Sequence, residues 1–269
     1  MKAVVVGASS GLGRCIGVDL GRRGDRVALL ARRHDRLVDA AKEAGPDALA
    51  VACDVTDESS CRAAVEEAAA GLGGIDALVY ATGIGPLAPV EKLDADAWRR
   101  TMDTNVIGAA LVTSAALPHL TKSGGVAAYL SSIGGSLTPS WPGFAAYHVS
   151  KAALEKLVEA FRVEHPSVGF TRFVVGDCAG GEGDSRTGFA DGWDREYAAQ
   201  VHPVWRQRGY LTGALLDVDE FLRVLDVVLR CGGTVPEVTV TPRPPARPGP
   251  GVPGLIRRTG PNGPVPRPR

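Results

Sequence analysis

The sequence lacks the features that mark membrane, secreted and nucleic-acid-binding proteins. Its 30 basic residues are balanced by 30 acidic ones, so the formal net charge is zero and the basic excess of a nucleic-acid binder is missing. No uncharged apolar run reaches the length of about 18 residues that a transmembrane helix needs, and the apolar stretch after Met1 is too short for a signal peptide. We therefore expect a cytoplasmic protein that binds neither nucleic acid nor membrane.

Cysteine is also scarce. The chain has five cysteines in 269 residues, and no two of them have the C-x-x-C spacing. An odd number of widely spaced cysteines argues against a disulfide framework and against a zinc site, and we predict no metal. Neither Cys53 nor Cys178 has an evident His or Asp partner, so both are interpreted as inert thiols of a reduced compartment.

The last 28 residues lack the apolar side chains of a folded segment. Residues 242–269 contain ten Pro, five Gly and six Arg, with no acidic residue. This composition predicts an extended or disordered tail. The remaining chain has 24 basic and 30 acidic residues, about six excess negative charges. Two interpretations stay open: a solvated appendage, or a basic strap that docks on an acidic surface of the protein.

Short apolar runs alternate with longer helical patterns over residues 1–241. The predicted strands are 2–6, 26–31, 48–52, 76–80, 126–131, 169–175 and 235–240. The predicted helices are 11–23, 33–44, 57–71, 95–120, 144–164 and 217–230. Continuous apolar strands that alternate with helices predict one α/β domain, a Rossmann-type doubly wound parallel sheet of about seven strands with helices on both faces.

A glycine-rich segment joins the first predicted strand directly to the first predicted helix. Glycines at a strand–helix turn allow a close approach to a pyrophosphate, which the free N–H groups of the helix then bind. The alternative is a plain turn that needs a positive φ. We predict that this turn binds the phosphates of a nucleotide through Gly7, Ser9, Ser10, Gly11, Leu12 and Gly13.

Two arginines follow the second predicted strand. An NAD-specific site places an acidic residue about 20 residues after the glycines, where it binds the ribose 2′-hydroxyl. Arg32 and Arg33 occupy this region instead, and guanidinium groups suit a 2′-phosphate. The alternative is a pair of solvated surface charges. The sequence favours NADP(H) over NAD(H).

Four polar residues are candidates for catalysis. Tyr147 and Lys151 are four residues apart in a predicted helix, so both side chains can enter one cleft. A lone Y-x-x-x-K can equally be an amphipathic helix with an exposed lysine. Ser132 ends the fifth predicted strand, at the edge where open α/β sheets bind ligands, and Asn105 lies in the preceding long helix.

With the G-x-x-x-G-x-G turn, these residues in this order make residues 1–241 resemble the short-chain dehydrogenase/reductase family. The resemblance implies that Tyr147 donates or accepts the proton and that Ser132 hydrogen-bonds the substrate oxygen. It further implies that Lys151 lowers the tyrosine pKa and holds the nicotinamide ribose, and that Asn105 holds a water for proton relay. His148 is interpreted as packing or surface.

The resemblance also implies further nucleotide contacts. Asp54 and Val55 follow the third strand and would contact the adenine, while Gly83 keeps the close-approach role. Ala81 stands where the family usually has a structural Asn. The Pro-Gly that usually follows the sixth strand is missing, and Thr187 is a stand-in for the usual Thr that contacts the nicotinamide amide. A homodimer or homotetramer through helices 95–120 and 144–164 is expected.

Residues 176–216 interrupt the strand–helix alternation and are interpreted as a long substrate loop, rich in Gly and aromatic residues. Those aromatics favour an apolar or ring-bearing substrate, or they pack the loop onto the core. The function that fits best is an NADP(H)-dependent oxidoreductase acting on a small-molecule carbonyl or alcohol. The alternative is a non-catalytic nucleotide-binding sensor or interaction protein on the same fold.

Overall fold

The structure is a computed structural model that describes residues 1–178, 180–181 and 183–243. Nearly all of the predicted tail, residues 242–269, lies outside these residues, so both interpretations of the tail stay predictions.

One parallel sheet organises the described chain. Its seven strands have the order β3-β2-β1-β4-β5-β6-β7. The order reverses between β2 and β4, on the two sides of β1, and this switch point opens a crevice at the carboxyl ends of the strands. The strands are β1 Lys2–Val6, β2 Arg26–Ala31, β3 Leu49–Ala52, β4 Ala77–Tyr80, β5 Val126–Ser132, β6 Gly169–Val175 and β7 Glu237–Val240.

Helices cover both faces of the sheet. Their bounds are α1 Gly11–Arg22, α2 His34–Ala44, α3 Glu58–Leu72, α4 Ala95–Met102, α5 Gly108–Ser123, α6 Ile133–Ser136, α7 Ala145–Glu164, α8 Arg195–Gln207 and α9 Val218–Leu229. Ala3 and Val5 of β1 pack under α1, α2 and α9, while Val4 and Val6 pack under α3, α5 and α7. This alternation buries both faces of the strand, and the doubly wound fold predicted from the sequence is confirmed.

The single helix predicted over 95–120 is wrong. A π-helical turn, Asp103–Ile107, separates α4 from α5, and α5 continues to Ser123. At the turn, the Tyr80 hydroxyl donates to the carbonyl of Thr104 at 2.5 Å, and the buried Asn105 amide bonds the loop after β4. These contacts come from distant segments, so the local apolar pattern could not reveal them.

The structureless loop predicted over 176–216 is also wrong in part, because it contains α8. Asp194 caps this helix by accepting from the amides of Glu196 and Tyr197. Val201 and Trp205, four residues apart, form its buried stripe. Pro203 lies inside α8, and a proline inside a helix usually argues against one. Tertiary burial of the stripe outweighs that local cost.

None of the helices in the described chain combines the length and the hydropathy that a bilayer span requires. Within the same residues, no group of three His, Cys, Asp or Glu side chains has the arrangement of a metal site.

Candidate active site

A cavity of about 1100 Å³ follows the carboxyl edge of the sheet. One end reaches Arg33 and Asp54. The other end reaches Tyr147, two aromatic residues that precede α8, Phe189 and Trp193, and one within α8, Trp205. A smaller cleft of about 400 Å³, lined by Lys2 and His119 among others, contains none of the predicted site residues. The larger cavity brings Ser132, Tyr147 and Lys151 into one continuous space with the predicted nucleotide residues except Gly13. Asn105, the fourth predicted catalytic residue, is buried and outside its lining.

The glycine turn has no room for side chains. Gly7 has a φ of +87°, and a Cβ there would lie 2.7 Å from the backbone nitrogen of Thr82. A Cβ on Gly13 would clash with the Gly7 carbonyl. Ser10 precedes α1 and makes no side-chain bond to the amides of its first turn. The turn therefore leaves the positive end of α1 available to an anion at the cavity wall.

Thr187 covers this turn. A Cβ on Gly11 would stand 3.4 Å from the Thr187 Oγ1, and one on Gly180 would stand 3.1 Å from the Gly11 Cα. Leu12 and Ala81 line the same part of the cavity. Thr187 belongs to the long segment that follows β6, and the structure thus places this segment against the glycine turn.

Arg33 is the arginine that joins the glycine turn. Its guanidinium donates to the Ser9 hydroxyl at 2.8 Å and to the Ser10 hydroxyl at 2.8 Å. Arg32 lines the same end of the cavity and is exposed. The pKa of Arg33 is lowered, first by burial and then by the charges of Arg36 and Arg32. Three guanidinium groups thus raise the positive potential at this end.

Asp54 and Val55 line the cavity beyond β3. The Asp54 carboxylate accepts from the amide of Thr56 at 3.0 Å and from its hydroxyl at 2.8 Å. Val55 is buried. The Asp54 carboxylate therefore stabilises the loop that follows β3, and the same residue lines the cavity.

Ser132, Tyr147 and Lys151 meet at the other end. Ser132 ends β5, and its hydroxyl accepts from the Gly134 amide at 3.3 Å. Ser132 lines the cavity together with Tyr147 and Lys151. The Lys151 Nζ lies 5.6 Å from the centre of the Tyr147 ring and donates to the Leu130 carbonyl at 2.7 Å. The helical spacing of Tyr147 and Lys151 indeed directs both side chains to one place.

Burial dominates the protonation of this group. It raises the pKa of Tyr147 to about 12, and the Ser132 hydroxyl only partly opposes this rise. Burial also lowers the pKa of Lys151 to about 8, while the Glu155 carboxylate raises it. The sequence predicts that Lys151 lowers the tyrosine pKa, whereas in the structure desolvation of the phenol raises it.

Asn105 holds the loop after β4 against α7. Its amide nitrogen donates to the Ile84 carbonyl and to the Ser150 hydroxyl, each at 2.8 Å, and its oxygen accepts from the Ile84 amide at 2.8 Å. A Cβ on Gly83 would lie 3.4 Å from both the Asn105 Oδ1 and the Lys151 Nζ. Both amide protons are used in these contacts, so the water-holding role implied by the resemblance stays a prediction.

Aromatic side chains form the wall around Tyr147. We call this set the aromatic cluster: Trp141, Phe144, Phe189, Trp193, Trp205 and Tyr210. Phe189 contacts Tyr147 edge-on at 5.0 Å between ring centres, and Phe144 stacks on Trp205 at 5.0 Å. The cluster both packs α8 onto the fold and lines the cavity.

Sequence reasoning missed two members of the cluster. Trp141 and Phe144 come from the loop between α6 and α7, for which the sequence predicted no role. A pair of large aromatics next to a predicted catalytic serine and tyrosine is the signal that could have found them.

His148 packs against the cluster, which is one of the two positions that the sequence left open for it, packing or surface. It is buried, and its Nδ1 accepts from the Trp141 amide at 3.2 Å. Burial lowers its pKa to about 4. The imidazole is therefore neutral near pH 7 and has an accepting Nδ1.

The comparison with protein families decides the relationship. Residues 1–176 match the family described as short chain dehydrogenase. The chain belongs to this family. The resemblance drawn from the glycine turn and from Asn105, Ser132, Tyr147 and Lys151 is thereby confirmed.

Relatives in sequence carry dehydrogenase names. A short chain dehydrogenase of Pseudocercospora fijiensis is 34% identical over 211 residues, which are 75% of this chain and 65% of that protein. An 11-beta-hydroxysteroid dehydrogenase A of Sesamum indicum is 35% identical, over 64% of this chain and 51% of its own length. The cis-4-hydroxycyclohexanecarboxylate dehydrogenase of Sinomonas cyclohexanicum is 37% identical, over 62% and 68%. The chain thus spans between half and about two thirds of these relatives.

Solved family structures have the same architecture. A short-chain type dehydrogenase/reductase from Mycobacterium marinum superposes with a TM-score of 0.76 at 26% identity, covering 89% of this chain and 93% of that one. An alcohol dehydrogenase from Thermococcus sibiricus, complexed with 5-hydroxy-NADP, gives 0.73 at 25% identity, covering 88% and 94%.

Proposed function

We propose that this protein is an NADP(H)-dependent oxidoreductase that interconverts a carbonyl and a secondary alcohol, with Tyr147 as general acid and base. The observation that carries this proposal is the meeting of Ser132, Tyr147 and Lys151 at one end of a cavity whose other end is the glycine turn. The dehydrogenase names of its relatives point to the same class of reaction.

The nucleotide end of the cavity fits a phosphorylated dinucleotide. Gly7 and Gly13 leave a cradle that a Cβ would fill, and the start of α1 offers its amides to a pyrophosphate. Arg33, held by Ser9 and Ser10, and the exposed Arg32 would bind a 2′-phosphate. NADPH supplies the hydride when it is bound. The complex of a family relative with 5-hydroxy-NADP supports this choice.

The three polar side chains divide the work on the substrate. Ser132 donates a hydrogen bond to the substrate oxygen, and Tyr147 transfers its proton to that oxygen during reduction. Lys151 stabilises the phenolate left behind. A charge pair about 5 Å apart, at an effective dielectric constant of about 20, is worth roughly 3 kcal/mol. That attraction becomes available only as the phenolate forms, so it favours the transition state.

The aromatic cluster supports a ring-bearing substrate. Trp193 uses its indole N–H on the Gly85 carbonyl, and Trp205 uses its own on the Pro142 carbonyl. These side chains therefore offer apolar ring faces to the cavity and few free donors. Two relatives are named for cyclic substrates, a hydroxysteroid and a hydroxycyclohexanecarboxylate. Assembly into a homo-oligomer stays a prediction of the sequence.

A carbonyl screen that follows NADPH absorbance tests the function. Cyclic ketones should be reduced, and Tyr147→Phe should lower turnover by a factor of about 10² or more, the usual scale for a lost general acid. NADPH affinity, measured by calorimetry, should stay unchanged in this variant. Tyr197→Phe removes a phenol outside the cavity lining and serves as the control. Tight NADPH binding without turnover of any ketone would favour the non-catalytic alternative instead.

A further inference from the structure

A buried carboxylate lies one helical turn beyond Lys151 on α7. Glu155 is only 4% exposed, and its Oε1 accepts from the Ser131 hydroxyl at 2.6 Å. Its Oε2 lies 3.3 Å from the Arg172 guanidinium of β6. Neither the sequence motif nor the proposed mechanism uses Glu155, yet a buried charge is costly unless it serves a partner.

Three side chains converge on one glycine of α6. The point where a Cβ on Gly135 would stand lies 2.8 Å from the Glu155 Oε1, 3.2 Å from the Lys151 Cβ and 3.3 Å from the Ser131 Oγ. A side chain at Gly135 would occupy the space of the carboxylate. The turn that follows Ser132 is therefore shaped around Glu155.

The charges around Glu155 differ on its two sides. Toward the surface, Arg172 is 32% exposed and also pairs with Glu237 of β7, and Glu159 and Arg162 of α7 act on that side at longer range. Toward the cavity, Lys151 and Tyr147 lie on the same helix as Glu155, with His148 beside them, and Asp177 after β6 lines the same cavity. The hydrogen bond of the Lys151 Nζ goes to a neutral group, the Leu130 carbonyl of β5.

We propose that Glu155 is a positioning residue that keeps the Lys151 ammonium charged beside Tyr147. This inference rests on the proposed function. The carboxylate and the lysine side chain meet at Gly135, and the hydrogen bond of the buried ammonium goes to a neutral carbonyl, so Glu155 supplies the negative charge near it. Its bond to Ser131 fixes the residue before Ser132, so the same contact also steadies the serine end of the site. Burial lowers the pKa of Lys151 to about 8, while Glu155 raises it. Loss of the carboxylate would therefore move this pKa toward 7 and leave about half of the lysine neutral near pH 7.

Glu155→Gln separates charge from shape. Glutamine keeps an oxygen that accepts from Ser131 and removes only the negative charge. With lysines labelled at the ε carbon, nuclear magnetic resonance follows the Lys151 signal, which Lys151→Arg identifies by its loss. We expect the Lys151 pKa to fall by about one unit, a tenfold change in its protonation equilibrium. In Glu155→Asp the Lys151 pKa should stay close to its wild-type value, because aspartate retains the negative charge.

A matched control lies one turn further along α7. Glu159 is an exposed glutamate paired with Lys156, and Glu159→Gln should leave the Lys151 pKa unchanged. In the pH profile of kcat/KM, the limb that reports loss of the lysine proton should move to lower pH in Glu155→Gln and not in Glu159→Gln. An unshifted Lys151 signal in Glu155→Gln would overturn the inference.

Failure of the inference can be told from failure of the proposed function. If Lys151→Met retains full turnover, the proposed mechanism is wrong. If Lys151→Met is inactive while Glu155→Gln leaves both the lysine signal and the pH profile unchanged, only the role of Glu155 is wrong. Should Glu155→Gln not fold, Glu155→Gln combined with Arg172→Gln removes the ion pair without leaving one buried charge unpaired. The Lys151 pKa should still fall, since Arg172 is more exposed than Glu155 and its charge is better screened by solvent.

Discussion

The two ends of the cavity are formed by different types of residue, which come from different parts of the chain. At the nucleotide end, glycines, hydroxyls and arginines follow directly on β1 and β2; Gly7 and Gly13 pack against backbone, and Arg33 bonds the serine hydroxyls. At the substrate end, large rings come from the α6–α7 loop, from the segment after β6 and from α8. A phosphate cradle requires particular residue types at fixed spacing, whereas an apolar wall requires only volume. The first can be recognised in a sequence by residue type and spacing, whereas the second appears there only as aromatic residues without a fixed spacing.

The largest effect is expected from a charge reversal at the nucleotide end, which tests the difference between the two ends. Arg33→Asp should weaken NADPH binding by about 10²-fold, since charged hydrogen bonds contribute about 1.5–3 kcal/mol and the new carboxylate adds repulsion. NADH affinity should change less than about threefold on the same grounds. Calorimetric titration with both cofactors measures the effect, and Arg99→Asp, on the exposed face of α4, is the control. Equal losses for NADPH and NADH would argue against a 2′-phosphate contact.

A smaller effect is expected at the substrate end. Phe189→Ala removes the ring that lies edge-on to Tyr147. KM for a cyclic ketone should rise by about tenfold, within the roughly 1.5–3 kcal/mol that burial of a large apolar side chain contributes. A small acyclic ketone should be affected less, and NADPH affinity should not change. Val163→Ala, an exposed apolar truncation at 76% exposure, controls for the loss of side-chain volume. A matching loss of NADPH affinity would mean that the two ends are not independent.

The smallest effect concerns pH and the buried histidine behind the cluster. The folded-state pKa of His148, about 4, lies below its ordinary value of 6.5, so the unfolded chain takes up the proton first as pH falls. The stability that depends on neutral His148 is therefore complete above pH 6.5 and is lost progressively toward pH 4. Between pH 6.5 and 5.5 the loss should be about 1 kcal/mol.

Urea unfolding at a series of pH values measures this contribution. His148→Asn keeps an acceptor for the Trp141 amide and should flatten the pH dependence by that amount. His119→Asn, on the opposite edge of the fold, retains His148 and should keep the wild-type dependence. Identical curves for wild type and His148→Asn would contradict the buried neutral imidazole.

The parts that the sequence predicted are those that obey local rules. All seven strands were located, with differences of at most two residues at their ends, because a strand buried on both faces is a continuous apolar run. The positions of Tyr147 and Lys151 followed from helical spacing. Gly7 and Gly13 followed from their place between β1 and α1.

The parts that escaped prediction depend on distant partners. The π-helical turn at Asn105 is held by Ile84, Ser150 and Tyr80, and none of these is its neighbour in sequence. α8 contains a proline and owes its stability to rings that pack on Trp205. The protonation of Tyr147 followed burial more than its nearby lysine, and burial of a single phenol is not visible in a sequence.

The strand order has a consequence for synthesis. Each strand after β1 lies beside one that is already complete: β2 and β4 beside β1, β3 beside β2, and β5, β6 and β7 each beside the strand before. The sheet can therefore grow outward from β1 as the chain leaves the ribosome, with no strand waiting for a later partner. The glycine turn, Arg33 and Asp54 need only β1 to β4, so this part of the nucleotide end can form before Thr187 covers it. β7 joins last, after the segment that carries α8 has been made, and its long connection makes that closure the late step of assembly.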